Sequence, residues 1–210
     1  MSTAQTTPRT ESPVWRAKHQ VILDTAHDLF VRLGYGGTTM QSLAEASGFS
    51  VGYLYKHFPG KQEILDALCA AHMDVYEDIR ARTREDGLLT PLGRLQRELE
   101  LICRHMAEHR ALIPVYAQRE TEMAPWMKER VARMRTEDVA LLAEARERGE
   151  IPEVDPELLA AVLDGAVWGL LKTLAPSQHP DMFLRIPQFI DDLILQPLRV
   201  RAQQEGPRQS

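Results

Sequence analysis

Side chains that can recognise the edges of DNA bases are concentrated in one short segment, residues 51–57. The Lys56 ammonium can donate to O6 or N7 of guanine, and Val51 or the ring of Tyr53 can contact a thymine methyl group. Gly52 has no side chain, which would permit close approach of a DNA backbone. Such residues read bases from the first turns of an exposed helix in the major groove. The elements around them therefore decide whether this chemistry is available.

The surrounding pattern predicts two short helices joined by a tight turn. The first is predicted over residues 39–47, with Thr38 as its N-cap and Gln41 as the partner in a capping box. Gly48 occupies the turn, where a left-handed backbone costs little because there is no β-carbon. Ser50 can cap the second helix, which carries the segment described above. This arrangement is typical of a helix-turn-helix.

Apolar spacing predicts how the second helix is held. Leu54 and Phe58 are four residues apart and would pack the helix against Leu29, Phe30 and Leu43. The polar and aromatic residues of the segment are then left on the outside. The pattern alone leaves open a helical hairpin with a purely structural role.

The stretch from Gly36 to Lys61 resembles the DNA-binding signature of the TetR family of repressors. Its most specific part is the Leu-Tyr-x-His-Phe-x-x-Lys segment at residues 54–61. The resemblance extends in residue detail over about residues 14–68, and beyond that only as helix order and length. Tyr53 departs from the family pattern, which more often has Thr, Ser or Ala there, so the family does not predict the operator sequence.

The resemblance also implies contacts with the DNA backbone. The Thr39 hydroxyl and its helix N-terminus would hold a phosphate, Tyr55 and His57 would reach the backbone through their polar tips, and Lys61 would pair with a phosphate. The expected partner is double-stranded operator DNA. With the base-side candidates, the predicted DNA-binding residues are Thr39, Ser50, Val51, Gly52, Tyr53, Tyr55, Lys56, His57 and Lys61.

The charge distribution is compatible with DNA binding only at the N-terminus. The chain has a net charge of −5, but residues 1–61 carry six basic and four acidic side chains, which is +2, so the rest carries −7. Attraction to phosphate depends on local positive charge. A small DNA-facing head on an acidic body is therefore expected.

The remaining periodicity predicts an all-α fold of about nine helices, with a three-helix DNA-binding head and a larger helical body for ligand binding and dimerisation. The predicted domains are 13–60 for the head and 61–201 for the body, with disordered tails at 1–12 and 202–210. Pro187 is expected to interrupt or restart the last helix. Helices are predicted over about 14–33, 39–47, 51–57, 61 to the low eighties, 91–108, 111–119, 121–148, 156–174 and 181–200.

The body is expected to bind a small-molecule effector, as the resemblance to the family implies. In the family, such a ligand lies between the middle helices and moves the fourth helix. Few charged residues fall at inward positions, which favours a lipophilic or aromatic effector, although each apolar residue also suits an ordinary core. The candidate lining is Tyr76, Leu99, Cys103, Met106, Tyr116, Met123, Trp126, Met127 and Trp168.

Residues 158–171 are apolar on nearly every side, which predicts a helix buried all round. A partner subunit would achieve that burial, and burial within one chain is the alternative. A homodimer with two-fold symmetry predicts a near-palindromic operator. The predicted interface is Leu158, Ala161, Val162, Gly165, Trp168, Gly169, Phe189 and Leu193.

Other chemistry finds little support in the sequence. His105 and His109 lie one helical turn apart, but there is no HExxH or repeated Glu-x-x-His pattern, so we interpret them as a polar face and predict no metal or cofactor. Cys69 and Cys103 read as small buried residues. No signal peptide or membrane span is evident, so a cytoplasmic protein is expected.

These patterns predict a ligand-released homodimeric repressor. An activator or a ligand-independent regulator remains an alternative, and a helical enzyme or metal-binding protein is a remote one.

Overall fold

The computed structural model of the protein describes residues 12–118, 124–175 and 181–205. Every regular element in these ranges is helical and none is a strand, which confirms the predicted all-α fold. The chain divides into an N-terminal unit that ends at Ala71 and a C-terminal unit that begins at His72.

The N-terminal unit contains α1 (Pro13–Gly37), α2 (Met40–Ser47), α3 (Val51–His57) and the start of α4 (Lys61–Glu85). Ser12 caps α1 by accepting from the Trp15 amide at 3.1 Å, and Pro13 occupies the first turn. Gly34 breaks the regular helix with φ 73° and ψ 164°, next to the predicted end of this helix at residue 33.

The C-terminal unit contains the rest of α4 and the following elements. They are α5 (Pro91–Glu108), a 3₁₀ turn (Arg110–Leu112), α6 (Ile113–Gln118), α7 (Pro125–Glu147), α8 (Pro156–Leu174), α9 (Asp181–Ile190), a π turn (Asp191–Leu195) and α10 (Gln196–Glu205). Asp155 caps α8, accepting from the amides of Glu157 and Leu158. The helices follow one another in the predicted order.

Two predicted helix boundaries are wrong, and both involve proline. The seventh helix begins at Pro125 rather than near residue 121, because the residue before a proline avoids helical geometry, and Ala124 has ψ 145°. The last helical run does not stop at Pro187. Phe183, Ile186 and Ile190 are buried on one face of α9, and this packing holds the helix across the missing N–H donor.

The C-terminal unit is built around an apolar cluster that α5, α7, α8 and α9 share. Its most completely buried members include Cys103, Leu142, Ile151 and Phe183. Burial of such side chains is the main favourable contribution to folding, at about 25 cal/mol per Å² of apolar surface.

A small set of charged residues lies inside the C-terminal unit, where most buried side chains are apolar. Arg80 on α4 is 6% exposed and donates to both carboxylate oxygens of Asp138 on α7, at 2.7 and 2.9 Å. Glu98 on α5 is 2% exposed and accepts from the Thr83 hydroxyl at 2.7 Å. Burial raises the pKa of Glu98, while the Thr83 hydrogen bond and the Arg80 charge oppose that shift. A hydropathy pattern predicts that these residues are exposed, because it scores each charge alone. Their burial is possible because the opposite charges are paired in the fold.

None of the helices in the described part of the chain combines the length and apolar character needed to cross a bilayer.

Candidate DNA-binding site

The turn between α2 and α3 has the geometry that the sequence predicts. Gly48 ends α2 in the left-handed region with φ 72° and ψ 13°. Ser50 caps α3, and its hydroxyl accepts from the Tyr53 amide at 3.1 Å. Leu43, Leu54 and Phe58 are buried in the N-terminal unit, so the helix-turn-helix packs on its predicted apolar side.

The cap of α2 lies one residue later than predicted. Thr39 is the N-cap and Ser42 completes the capping box, so Gln41 is not the partner. The Thr38 side chain is fully buried and its hydroxyl donates to the carbonyl oxygen of Gly34 at 2.9 Å. Thr38 therefore closes the end of α1, which leaves Thr39 to open α2.

The predicted base-contact residues lie on the outer side of α3, around the buried Leu54. Gly52 and Lys56 are exposed, while Val51 and Tyr53 are half-buried. A β-carbon placed on Gly52 would meet no atom within 4 Å, so the chain itself leaves the space above this residue open. The exposed side of α3 could therefore enter a DNA groove while the buried side chains of the N-terminal unit stay in place.

An aromatic stack that the sequence did not predict runs from α3 to α1. The Tyr53 ring lies 5.0 Å from the Phe49 ring and 4.9 Å from the His57 ring. His57 in turn stacks on Trp15 at 4.8 Å, and Trp15 stacks on His19 at 4.6 Å. This stack fixes the direction of the Tyr53 and His57 side chains. No local signal links positions 15 and 57, since the pairing depends on the packing of α1 on α3.

Burial lowers the pKa of both stacked histidines. For His57 the next cause is the positive charge of Lys18, and for His19 it is His57 itself. The two Nδ1 atoms are 3.5 Å apart, so simultaneous protonation would place two positive charges side by side. Burial and the neighbouring positive charge therefore both favour the neutral form of these rings.

The backbone-contact candidates divide into exposed and engaged residues. Thr39, Ser50 and Tyr55 are exposed, and Tyr55 shows 53% of its surface. Lys61 is engaged within the unit, where its ammonium donates to the carbonyl oxygens of Tyr35 at 2.5 Å and Thr38 at 2.7 Å. The same ammonium lies 4.3 Å from the centre of the Tyr35 ring. Lys61 thus ties the start of α4 to the turn that opens α2.

The predicted effector residues fall into different environments of the C-terminal unit. Leu99, Cys103, Met106 and Trp168 pack in the apolar cluster, and burial raises the pKa of the Cys103 thiol to about 12. Cys69 is buried as well, as expected for both cysteines.

The other effector candidates lie outside that cluster. Tyr76 and Tyr116 flank a group of histidines, with ring centres 5.6 Å from His105 and 6.0 Å from His72 respectively. Met127 is buried and Trp126 half-buried on α7, while Met123 lies outside the described residues.

The predicted dimerisation residues form an exposed apolar surface, which we call the α8–α9 face. Leu158 is 68% exposed, Val162 55%, Phe189 50% and Leu193 61%. A groove of about 410 Å³ lies on this face, lined by Gly165, Ala166, Gly169, Leu170, Phe189, Ile190, Leu193 and Ile194. Ala161 and Trp168 are half-buried beside it. The opposite side of α8 is buried within the C-terminal unit. This helix is therefore apolar both on its buried side and on its exposed side.

A protein-family comparison identifies the N-terminal unit. Residues 22–68 match the family model described as "Bacterial regulatory proteins, tetR family". The match includes α2, α3 and Lys61, whose hydrogen bonds to Tyr35 and Thr38 we call the Lys61 anchor. Residues 22–68 therefore form a DNA-binding domain of the TetR family.

Individual TetR-family proteins are similar over most of the chain. The repressor KstR2 of Mycobacterium tuberculosis is 26% identical over 161 residues, covering 74% of this chain and 80% of KstR2. Its solved structure, titled as that of a ketosteroid transcriptional regulator, gives a TM-score of 0.73 at 21% identity, covering 90% of this chain and 97% of that one.

Two further solved structures have the same fold. PfmR of Thermus thermophilus gives a TM-score of 0.70 at 26% identity, covering 83% of this chain and 97% of PfmR. AibR, solved with isovaleryl coenzyme A and operator DNA, gives 0.69 at 22% identity, covering 84% of this chain and 97% of AibR. The relatives named here are described as transcriptional regulators, and this chain shares their fold and a TetR-family DNA-binding domain.

Proposed function

We propose that this protein is a repressor that binds near-palindromic operator DNA as a homodimer and is released by a small, lipophilic effector. One observation carries the DNA-binding part of the proposal. The side of α3 that bears Gly52 and Lys56 is open, while Leu54 and Phe58 anchor the opposite side. A short helix with one anchored and one open side can enter a major groove as a rigid body.

Each base-side candidate has a stated role in this proposal. Lys56 donates to guanine, and the Tyr53 ring, held by Phe49 and His57, contacts an apolar base edge such as a thymine methyl. Tyr55 and the Thr39 hydroxyl contact phosphates, which position the helix without reading sequence. The relationship to the repressor KstR2 supports repression as the outcome of binding.

The test begins with selection of bound sequences from a random DNA pool, followed by affinity measurements on the recovered site at fixed salt. Lys56→Ala and Tyr53→Ala are each expected to weaken binding by about 5-fold to 150-fold, the range of a lost base contact. Lys128→Ala removes an exposed lysine on α7 and is the charge-matched control. Unchanged affinity in both α3 variants would contradict the assignment.

The homodimer is supported by the α8–α9 face. Its exposed leucine, valine and phenylalanine side chains form an apolar surface of the kind that marks protein–protein interfaces. Gly165 and Gly169 leave the groove open, since a β-carbon on either would meet nothing within 4 Å. A second copy of the same face can fill such a groove with its own side chains. Two-fold pairing also predicts a near-palindromic operator.

The effector is proposed to bind in the C-terminal unit, where most buried side chains are apolar. Solved relatives support a ligand with an apolar part, since AibR was solved with isovaleryl coenzyme A, whose acyl group is apolar, and KstR2 is titled a ketosteroid regulator. A thermal-shift screen with a steroid, a free fatty acid and an acyl-coenzyme A thioester tests this. We expect stabilisation by one class together with loss of operator binding. Release only by polar metabolites would overturn the lipophilic assignment.

A further inference from the structure

Three histidines from two helices meet in the C-terminal unit. His105 lies in the last turn of α5, His109 caps the end of that helix, and His72 comes from α4. The Nδ1 atom of His72 is 2.8 Å from Nε2 of His105, and one ring nitrogen from each histidine lies within 4.8 Å of the others. The ring centres of His72 and His105 lie 4.7 and 4.6 Å from that of His109.

The spacing of these nitrogens is close to that of a metal-binding site. Ligand nitrogens about 2.0–2.1 Å from a tetrahedral zinc ion are roughly 3.3 Å from one another. The His72–His105 pair is closer than this and the whole set lies within 4.8 Å, so a bound ion would replace the hydrogen bond between these two rings. Two ligands one turn apart on α5 and a third from α4 form a three-point set that leaves a fourth position for water or another donor.

The surroundings favour a bound ion over a solvated polar face. All three histidines are half-buried, and the rings of Tyr76 and Tyr116 pack edge-on against the group. Glu108, next to the α5 pair, is exposed and interacts electrostatically with His105, so one negative charge is available to offset a cation. Imidazole ligands suit zinc, copper, nickel and cobalt rather than magnesium or calcium.

We propose that His72, His105 and His109 bind one divalent first-row transition-metal ion per chain, with zinc as the reference case. The proposal goes beyond the repressor function. It does not depend on DNA binding, because the experiment measures the binding of the metal ion directly.

The experiment uses the full-length chain without a histidine tag, stripped of metal by a chelator. Titration with Co²⁺ followed by visible absorption reports tetrahedral coordination, and calorimetric titration with Zn²⁺ gives stoichiometry and affinity. We expect one ion per chain and intense cobalt bands that Zn²⁺ abolishes. A wild-type protein that binds neither ion in the micromolar range would overturn the proposal and leave a histidine hydrogen-bond cluster only.

Variants locate the ion. His72→Ala, His105→Ala and His109→Ala are each expected to weaken binding by at least about 100-fold, since even residues behind the ligands contribute 10- to 100-fold. His19→Ala is the matched control, because His19 and His57 form a separate pair of neighbouring histidines. Circular dichroism checks that each variant is helical. Binding that survives all three ligand variants, or that His19→Ala removes, would contradict the site.

Discussion

A substitution at Gly52 should affect the stability of the N-terminal unit and the proposed DNA binding in opposite directions. It lies in α3 with no neighbouring atom within 4 Å of a β-carbon, and alanine is a better helix former by about 1 kcal/mol. Gly52→Ala is therefore expected to raise the free energy of unfolding by about 0.5–1 kcal/mol while it weakens operator binding, because the added methyl group would lie on the proposed DNA-binding side of α3. Urea denaturation and operator titration measure the two effects.

Gly48 provides the contrast for that prediction. Its φ of 72° strains any residue with a β-carbon, so Gly48→Ala should lower the stability by about 1–2 kcal/mol. An operator affinity of Gly52→Ala equal to the wild type would show that DNA does not approach this side of α3.

The stacked histidines predict that the head is less stable in acid. The pKa of His19 and of His57 is lowered from its ordinary value of 6.5, chiefly by burial. As the pH falls below 6.5, the unfolded chain takes up these protons before the folded chain does, so the free energy of unfolding decreases. Above pH 6.5 this contribution is fully present.

NMR titration of the imidazole protons measures the shift directly. We expect both pKa values below 6.5, a rise for His57 in Lys18→Gln, and a rise for His19 in His57→Gln. Ordinary pKa values in the folded protein would mean that the rings are solvated rather than stacked against Trp15.

Among the elements, α4, α5 and α7 are joined by the buried cluster around Arg80. Arg80→Ala would leave Asp138 and Glu98 without their compensating charge, so a loss of about 3–5 kcal/mol in stability is expected. Arg82→Ala on the same helix removes only an exposed pair with Asp78 and should cost about 0–1 kcal/mol. Chemical denaturation compares the two variants, and equal losses would show that burial does not govern the Arg80 cluster.

Elements controlled by local chemistry are the ones that the sequence predicts well. The left-handed Gly48, the Ser50 cap and the buried pair Leu54 and Phe58 each depend on residues within a few positions. The Thr38 prediction fails by one residue because two adjacent threonines can both cap, and the bond from Thr38 to Gly34 decides between them.

Features that join distant positions are not predictable from the same patterns. Trp15 reaches His57 through tertiary packing, and His72 joins the α5 histidines from 33 residues away. Arg80, Glu98 and Asp138 read as surface residues because a charge is expected to be exposed, yet pairing allows their burial. The candidate DNA surface was predictable in outline, while the residues that orient its side chains were not.

At the scale of the whole molecule, substitutions on the exposed α8–α9 face are expected to change the oligomeric state without unfolding the chain. Leu193 is 61% exposed within one protomer, so Leu193→Arg should preserve the fold but place a charge in the proposed interface. Sedimentation at micromolar concentration is expected to show a monomer, with weaker operator binding because half-sites are then bound separately.

Leu88→Arg is the matched control for this prediction. Leu88 is 96% exposed in the connection between α4 and α5, away from the α8–α9 face, so the same substitution there should leave the assembly unchanged. A wild-type chain that sediments as a monomer, or a Leu193→Arg protein that still dimerises, would reject this face as the interface.

The Lys61 anchor has a consequence for how this sequence can vary. Its ammonium binds main-chain carbonyl oxygens of Tyr35 and Thr38, and every amino acid supplies such an oxygen. Substitutions at either acceptor position therefore leave the hydrogen bonds available, whereas replacement of Lys61 removes both at once. Evolutionary constraint from these two hydrogen bonds should fall on the lysine alone, and only the Tyr35 ring, 4.3 Å from the ammonium, adds a side-chain contact at an acceptor position. A search for co-varying positions would overlook a contact that ties α4 to the turn that opens α2.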